Sequence, residues 1–150
     1  MRAPARILVV DDVADNVEIL RMRLAALGYE VVTAKDGEEA LACVPKLLPD
    51  LILLDIMMPK VSGFEVCKTV KGSPATRGIM ILMVTALNED GDIERAVNAG
   101  CDDFLSKPVN KLELLKRVEN MLKLRQVSDE LERLRRYIDS MEGDEPPRKA

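Results

Sequence analysis

Three short runs of apolar residues, each followed at once by a polar side chain, constrain the fold of this chain more than any other feature. The runs cover residues 7–10, 51–54 and 79–84, and the polar residues that follow them are Asp11, Asp55 and Thr85. Continuous apolar runs of this length indicate strands that are buried on both faces, as in parallel sheets. Weaker strand signals at residues 30–34 and 103–105 bring the predicted number to five.

Helical patterns separate these strands. Apolar residues repeat at spacings of four and three before Gly28, which fits a helix C-cap, at Val13, Val17, Leu20, Leu24 and Leu27. Further helices are predicted from about residue 37, ended or kinked early by Pro45, then at residues 63–70 and at about 89–99. Asn110 and Glu113 form a capping pair for a fifth helix.

Strands that alternate with helices predict an α/β fold. Right-handed crossovers then give a flavodoxin-like, doubly wound, five-stranded parallel sheet in the order 2-1-3-4-5, with five helices. In such folds, ligands bind at the carboxyl ends of the strands where the strand order reverses. The polar residues that end the first and third strands are therefore the expected site.

Composition excludes several classes of mechanism. The 150 residues include no histidine, which rules out histidine-based nucleophilic catalysis and histidine-ligated zinc within this chain. A net charge of −4 argues against direct binding to nucleic acid or to an anionic membrane. No apolar stretch has membrane-spanning length, and three widely spaced cysteines favour the cytoplasm.

The predicted topology brings charged and hydroxyl side chains together at one sheet edge. Asp11, Asp12 and Asp55 cluster there, with Thr85 ending the neighbouring strand and Lys107 following the last one. Clustered carboxylates repel, and a divalent cation compensates them. Oxygen ligands without His or Cys favour Mg²⁺, with Mn²⁺ as the alternative.

One carboxylate in this cluster is then available as a nucleophile toward phosphorus. Asp55 is the best placed, since it ends the central strand alone, and attack by a carboxylate gives an aspartyl phosphate. Lys107 and the Thr85 hydroxyl can neutralise the phosphoryl oxygens.

These residues carry a resemblance to a known family. The sequence resembles the receiver domain of two-component response regulators, including chemotaxis receivers, over roughly residues 5 to 124. The matching motifs are Ile-Leu-Val-Val-Asp11-Asp12, Leu-Ile-Leu-Leu-Asp55-Ile-Met-Met-Pro59 with Gly63, Met83-Val84-Thr85-Ala86 and Phe104-Leu105-Ser106-Lys107-Pro108.

The resemblance implies a Mg²⁺-dependent phosphoacceptor rather than an enzyme, with only weak self-catalysed phosphotransfer and autodephosphorylation. A partner histidine kinase or histidine phosphotransfer protein would phosphorylate Asp55. Asp12, Asp55 and the main-chain carbonyl of Met57 would bind the metal, with Asp11 acting through a water, and no other cofactor is implied.

The resemblance also assigns a conformational switch. Thr85 and Phe104 would form the switch pair, in which the Thr hydroxyl moves inward on phosphorylation and the ring fills the space. The Lys107–Pro108 bond is expected to be cis. Apolar Met57 and Leu87 stand where polar side chains of the family position water, which predicts a long-lived phosphoryl group.

The fifth helical pattern continues beyond a compact domain. Six apolar residues at spacings of 3, 4, 3, 4 and 3 form a heptad seam, called the seam below: Leu124, Val127, Leu131, Leu134, Ile138 and Met141. We predict a receiver domain at 1–123, a helical coiled-coil extension at 124–142 and a disordered tail at 143–150. The seam predicts a homodimer through residues 124–141, and the alternative is a helix that folds back on its own domain or frays.

Two other functions fit parts of the pattern. One is a small Mg²⁺-dependent phosphohydrolase with an Asp nucleophile, although the Asp-x-Asp motif of such enzymes is missing from the first strand. The other is a receiver-like scaffold that is not phosphorylated. The sequence contains no recognisable output domain, so control of an output by protein contact, or by a downstream domain in a longer chain, is left open.

Overall fold

A computed structural model of the chain describes residues 4–86 and 90–144. Its five strands are β1 (Arg6–Val10), β2 (Glu30–Ala34), β3 (Leu51–Leu54), β4 (Met80–Thr85) and β5 (Asp103–Ser106). Its five helices are α1 (Ala14–Ala25), α2 (Gly37–Leu47), α3 (Gly63–Gly72), α4 (Asp90–Asn98) and α5 (Lys111–Asp144). None of the described helices is both long enough and apolar enough to cross a bilayer.

The strands form one parallel sheet in the order β2-β1-β3-β4-β5, which confirms the predicted doubly wound topology. Side chains of successive strand residues alternate between its two faces. Ile52 and Leu54 pack with buried residues of α2, α3 and α4, whereas Leu51 and Leu53 pack with buried residues of α1 and α5. The central strands are covered on both faces, which explains their uninterrupted apolar sequences.

The boundaries of β4 and α2 differ from the sequence-based predictions. β4 begins at Met80 and includes Thr85, because Thr85 pairs with Ser106 of β5. Pro45 lies inside α2 without ending it, since a proline in the last turn removes only one backbone hydrogen bond. The helix ends two residues later at Leu47, and its C-cap Leu48 adopts a left-handed conformation with φ of 46°.

The apolar stripe predicted for α1 is shorter than its sequence pattern. Val13 and Leu27 flank the helix, and their side chains are about half exposed, at 48% and 51%. Leu24 is fully buried. The predicted C-cap role of Gly28 is wrong, because α1 ends earlier and Ala26 is its C-cap; Gly28 lies two residues further on, in the turn that follows, with φ of 90°.

The long fifth helix is confirmed. Asn110 accepts a hydrogen bond from the Glu113 N–H at 3.1 Å, as a capping residue does. The helix extends to Asp144, two residues into the segment predicted as a tail, and residues 145–150 lie outside the described part of the chain.

Candidate functional site

Asp11 and Asp12 follow β1 at the carboxyl edge of the sheet. The Asp11 N–H donates to the carbonyl of Ala34 at 3.3 Å, which extends the pairing of β1 with β2 by one residue. The Asp11 side chain is buried, and its Oδ1 accepts the Val13 N–H at 2.9 Å. Asp12 is exposed, so it can reach a ligand from the solvent side.

Asp55 follows the central strand β3. Its N–H donates to the carbonyl of Val10 at 3.0 Å, which places it beside the Asp pair at the end of β1. The Asp55 carboxylate accepts the Met57 N–H at 3.3 Å and is only 6% exposed. This carboxylate is therefore held at the base of the site, with limited access to water.

The three carboxylates converge as predicted. Asp11, Asp12 and Asp55 each offer an oxygen, and these atoms all lie within 4.8 Å of one another. Such a set of hard oxygen ligands, two buried and one exposed, fits a divalent cation that keeps part of its water shell.

The Lys107 side chain brings a positive charge to this carboxylate cluster. Its Nζ lies 3.3 Å from Asp11 Oδ2 and 3.5 Å from Asp55 Oδ2, so one ammonium bridges both buried carboxylates. The Lys107–Pro108 peptide bond is cis, as expected. Both lysine contacts are long for charge-assisted hydrogen bonds, which leaves Lys107 free to turn toward another anion.

The pKa of Asp55 is raised above its ordinary value. Burial is the largest cause, because it disfavours the charged carboxylate, and the nearby charge of Asp11 adds to it. The positive charge of Lys107 and the Met57 N–H oppose the increase. A carboxylate that is poorly solvated and only partly neutralised is a better nucleophile than a solvated one.

The loop after β3 is held by a glycine whose role the sequence did not reveal. The Gly63 N–H donates to the carbonyl of Ile56 at 3.0 Å. A Cβ on Gly63 would lie 2.7 Å from Ile56 Cα and closer still to the Asp55 carbonyl oxygen. The start of α3 therefore packs directly on the backbone of Asp55, and only glycine fits there. A glycine one residue after a helix cap, Ser62, is the sequence signal for this contact.

Asn16, in the first turn of α1, is a second residue near the site that the sequence did not identify. Its Nδ2 lies 3.5 Å from Asp11 Oδ2, at the limit of a hydrogen bond. This position on α1 means that Asn16 borders the carboxylate cluster as well as beginning the helix.

The predicted switch residues lie on the strands beside Lys107. The backbone of Thr85 ends β4, but its side chain and all of Leu87 lie outside the described residues. Phe104 is half-buried and packs against the core cluster shared with α2, α3 and α4. Its Cα pairs with that of Met83, the residue two before Thr85.

A cleft lies beside the exposed Asp12. It has a volume of about 450 Å³ and is lined by Met57, Phe64 and Arg95 among others. The Arg95 guanidinium lies over the Phe64 ring, 4.1 Å from its centre. The Met57 side chain is 63% exposed. Because it ends in a thioether, it offers the site no strongly polar group to hold water.

Known signalling proteins are similar to this chain over most of its length. The response regulator receiver domain family matches residues 7–119. Response regulator PleD of Caulobacter vibrioides is 47% identical over 127 residues, which are 85% of this chain and 28% of PleD. The alkaline phosphatase synthesis transcriptional regulatory protein PhoP of Bacillus subtilis is 39% identical over 138 residues, which are 92% of this chain and 56% of PhoP.

Solved structures show the same likeness. The chemotaxis protein CheY4 of Vibrio cholerae superposes with a TM-score of 0.76 at 35% identity, covering 79% of this chain and 99% of CheY4. The chain thus matches nearly all of a single receiver but much less than the full length of PleD or PhoP.

Proposed function

Because the chain belongs to the response regulator receiver domain family, we propose that Asp55 accepts its phosphoryl group from a partner histidine kinase or histidine phosphotransfer protein. The observation that carries this proposal is the environment of Asp55. Its carboxylate ends the central strand, is nearly buried, and lies 3.5 Å from Lys107 and within 4.8 Å of two further carboxylates. The 150 residues include no histidine, so the donor histidine lies outside this sequence.

In the proposed reaction, an Asp55 carboxylate oxygen attacks the phosphorus of a phosphohistidine. An O–P bond forms, the N–P bond of the donor breaks, and the electron pair stays on the departing imidazole. Phosphoryl transfer depends mainly on positioning and on neutralisation of charge. Lys107 supplies one positive charge, because its ammonium can turn from Asp55 to a phosphoryl oxygen.

Asp12, Asp55 and the main-chain carbonyl of Met57 would hold Mg²⁺, with Asp11 acting through a water. The carboxylate geometry supports this set, since one ligand oxygen from each Asp lies in a single cluster. When bound, the ion supplies positive charge that screens the attacking carboxylate from the anionic donor. Asp11 also orients Lys107, whose ammonium it contacts at 3.3 Å.

Thr85 and Phe104 are the proposed switch pair. The position of Thr85 at the end of β4, next to β5, supports a hydroxyl that moves toward the phosphoryl group. The half-buried ring of Phe104 would then turn into the space that is left. Phe104 lacks a phenolic hydroxyl, so this switch works through packing alone.

The proposed output is protein–protein contact, including self-association through residues 124–141. The apolar residues of the seam are exposed in the single chain, which supports a partner on that face. A downstream output domain in a longer chain is also compatible with the partial coverage of PleD and PhoP.

The proposed compartment is the cytoplasm. The three free thiols of this chain support it, because disulfides are rare there.

Incubation with acetyl phosphate and Mg²⁺ tests the phosphoacceptor proposal. We expect intact-protein mass spectrometry to detect the gain of one phosphoryl group, lost in Asp55→Asn and kept in the control Asp139→Asn, an exposed carboxylate on α5. Rapid multiple turnover would instead support a phosphohydrolase. No reaction, with either Mg²⁺ or Mn²⁺, would support a scaffold.

A further inference from the structure

The seam has no covering within the described part of the chain. Its six side chains are between 45% and 61% exposed. α5 continues as one helix from Lys111 to Asp144, so the extension does not fold back on its own receiver. A helix face this apolar is typical of a partner surface.

Most of the seam lies on the side of α5 away from the receiver, although Leu131 also lines a cleft whose other wall belongs to the receiver. Leu114, Val118, Met121 and Leu122 are the residues of α5 that are buried against the receiver. With about 100° of rotation per residue, these four lie within about 60° of the direction of Val118. Measured around the helix axis from the same direction of Val118, the six seam residues lie between about 140° and 240°. A partner on the seam therefore approaches from the side away from the receiver.

Arg125 fixes this orientation at the start of the extension. Its Nη1 donates to the carbonyl of Gly78, and its Nε lies 3.8 Å from Asp50 Oδ1 and 3.9 Å from Asp129 Oδ2. A Cβ on Gly78 would lie 2.8 Å from that Nη1, so the missing side chain makes room for the arginine. Arg125 thus connects the extension to the edge of the sheet opposite Asp55.

Building on the proposed self-association, we propose that the seam pairs with a second copy of this chain, parallel and in register, with both receivers on the outside. The two helices meet along their seams, and each receiver lies on the far side of its own helix. This arrangement brings the two extensions together from Leu124 onward while keeping the receivers apart.

Charges beside the seam favour the parallel arrangement. Glu130 and Arg135 occupy the two heptad positions that flank the seam. In a parallel, in-register pair, Glu130 faces the partner's Arg135, and the symmetric contact forms as well. In an antiparallel pair that aligns the same seam, Glu130 comes near the partner's Tyr137 and Arg135 near the partner's Ser128, so neither ion pair forms.

Disulfide trapping tests the orientation. Leu124 and Met141 are about 26 Å apart along one helix, at about 1.5 Å per residue. In a mixture of Leu124→Cys and Met141→Cys chains, the parallel pair gives only 124–124 and 141–141 disulfides. The antiparallel pair gives 124–141 disulfides, and their appearance as the main product would overturn the proposal.

Two controls accompany the trapping experiment. The unsubstituted chain reports on native thiols, which are held poorly reactive because burial raises the pKa of Cys67 to about 12 and raises those of Cys43 and Cys101. Arg136→Cys places an exposed thiol on the helix face opposite the seam, where we expect no disulfide.

Charge reversal tests the register. In Arg135→Glu, two attractions become two repulsions, and we expect the dimer Kd to rise about tenfold in sedimentation equilibrium. Adding Glu130→Arg to the same chain restores the pairs with opposite sign and brings the Kd back to within about twofold. The control Arg133→Glu makes the same change in net charge away from the seam and leaves the Kd unchanged. Equal effects of Arg135→Glu and Arg133→Glu would refute the register.

The outcomes separate this inference from the function on which it rests. A chain that remains monomeric, with and without beryllium fluoride, overturns both the self-association and the parallel pair, but leaves phosphorylation of Asp55 intact. A dimer with 124–141 disulfides overturns the orientation alone. Loss of reaction with acetyl phosphate overturns the phosphoacceptor proposal without affecting the pairing of the extensions.

Discussion

Replacement of Gly63 by alanine tests whether close packing of α3 on the Asp55 backbone holds the site together. The added Cβ would lie 2.7 Å from Ile56 Cα and 3.0 Å from the Asp55 carbonyl carbon. Ordinary carbon contacts are about 3.5–4.0 Å, so the helix start or the loop must move by about 1 Å. That movement also stretches the 3.0 Å hydrogen bond from the Gly63 N–H to Ile56.

The expected cost of this substitution follows from these contacts. Overpacking costs about 1–3 kcal/mol and a weakened hydrogen bond about 1 kcal/mol. Against these, alanine is better than glycine in a helix by about 0.5–1 kcal/mol. The free energy of unfolding should therefore fall by about 2 kcal/mol, which lowers Tm by about 4–8 °C in a chain of this size.

Gly72→Ala is the matched control, because Gly72 ends the same helix and a Cβ there meets nothing within 4 Å. Urea unfolding followed by circular dichroism should show Gly72→Ala equal to the parent or slightly more stable. Phosphorylation by acetyl phosphate should be slowed at least tenfold in Gly63→Ala alone, since the Asp55 backbone is displaced. Equal stability and equal phosphorylation rates in the two variants would refute the packing argument.

Three further predictions concern the charges and the water of the site. The pKa of Asp55 is raised in the folded state, so its contribution to stability is present below the unfolded value near 3.8 and is lost as pH rises through the folded value. Asp55→Asn should therefore raise Tm in thermal scans at neutral pH, and by less in acid. An equal Tm at neutral pH would contradict this. Lys107→Ala leaves the Asp11 and Asp55 carboxylates repelling each other. The rate of phosphorylation measured by stopped flow should therefore fall at least tenfold. An unchanged rate would exclude Lys107 from the chemistry. Phosphate release should take minutes or longer and become faster in Met57→Asn, whose amide can hold water; release within seconds in the parent would contradict the argument.

The sequence was sufficient to predict the topology because strand burial leaves a local signature. The run at Leu51–Leu54 is apolar at every position, since both of its faces are covered, and the predicted boundaries match the structure. Polar residues directly after such strands then mark the edge where a site forms. Asp11 and Asp55, 44 positions apart in the sequence, could be placed together by this rule alone.

Contacts that depend on distant backbone could not be predicted in the same way. The Arg125 side chain reaches the carbonyl of Gly78, 47 residues earlier, through a geometry that no spacing encodes. The periodicity at Val13 and Leu27 predicted more of α1 than forms, because an apolar repeat does not show where the covering strands end. Pro45 predicted an earlier helix end than the structure shows. The prediction was wrong because the effect of a proline depends on how many turns follow it.

The path from the candidate site to the extension is short at one point. Only Pro108, Val109 and Asn110 separate Lys107 from the first residue of α5. Asn110 caps that helix, and Arg117 in its second turn contacts the Asp103 carboxylate of β5 at 2.6 Å and 2.7 Å. Arg125 holds the same helix at the opposite edge of the sheet. α5 is therefore attached near both edges of the sheet before the seam continues beyond Arg125.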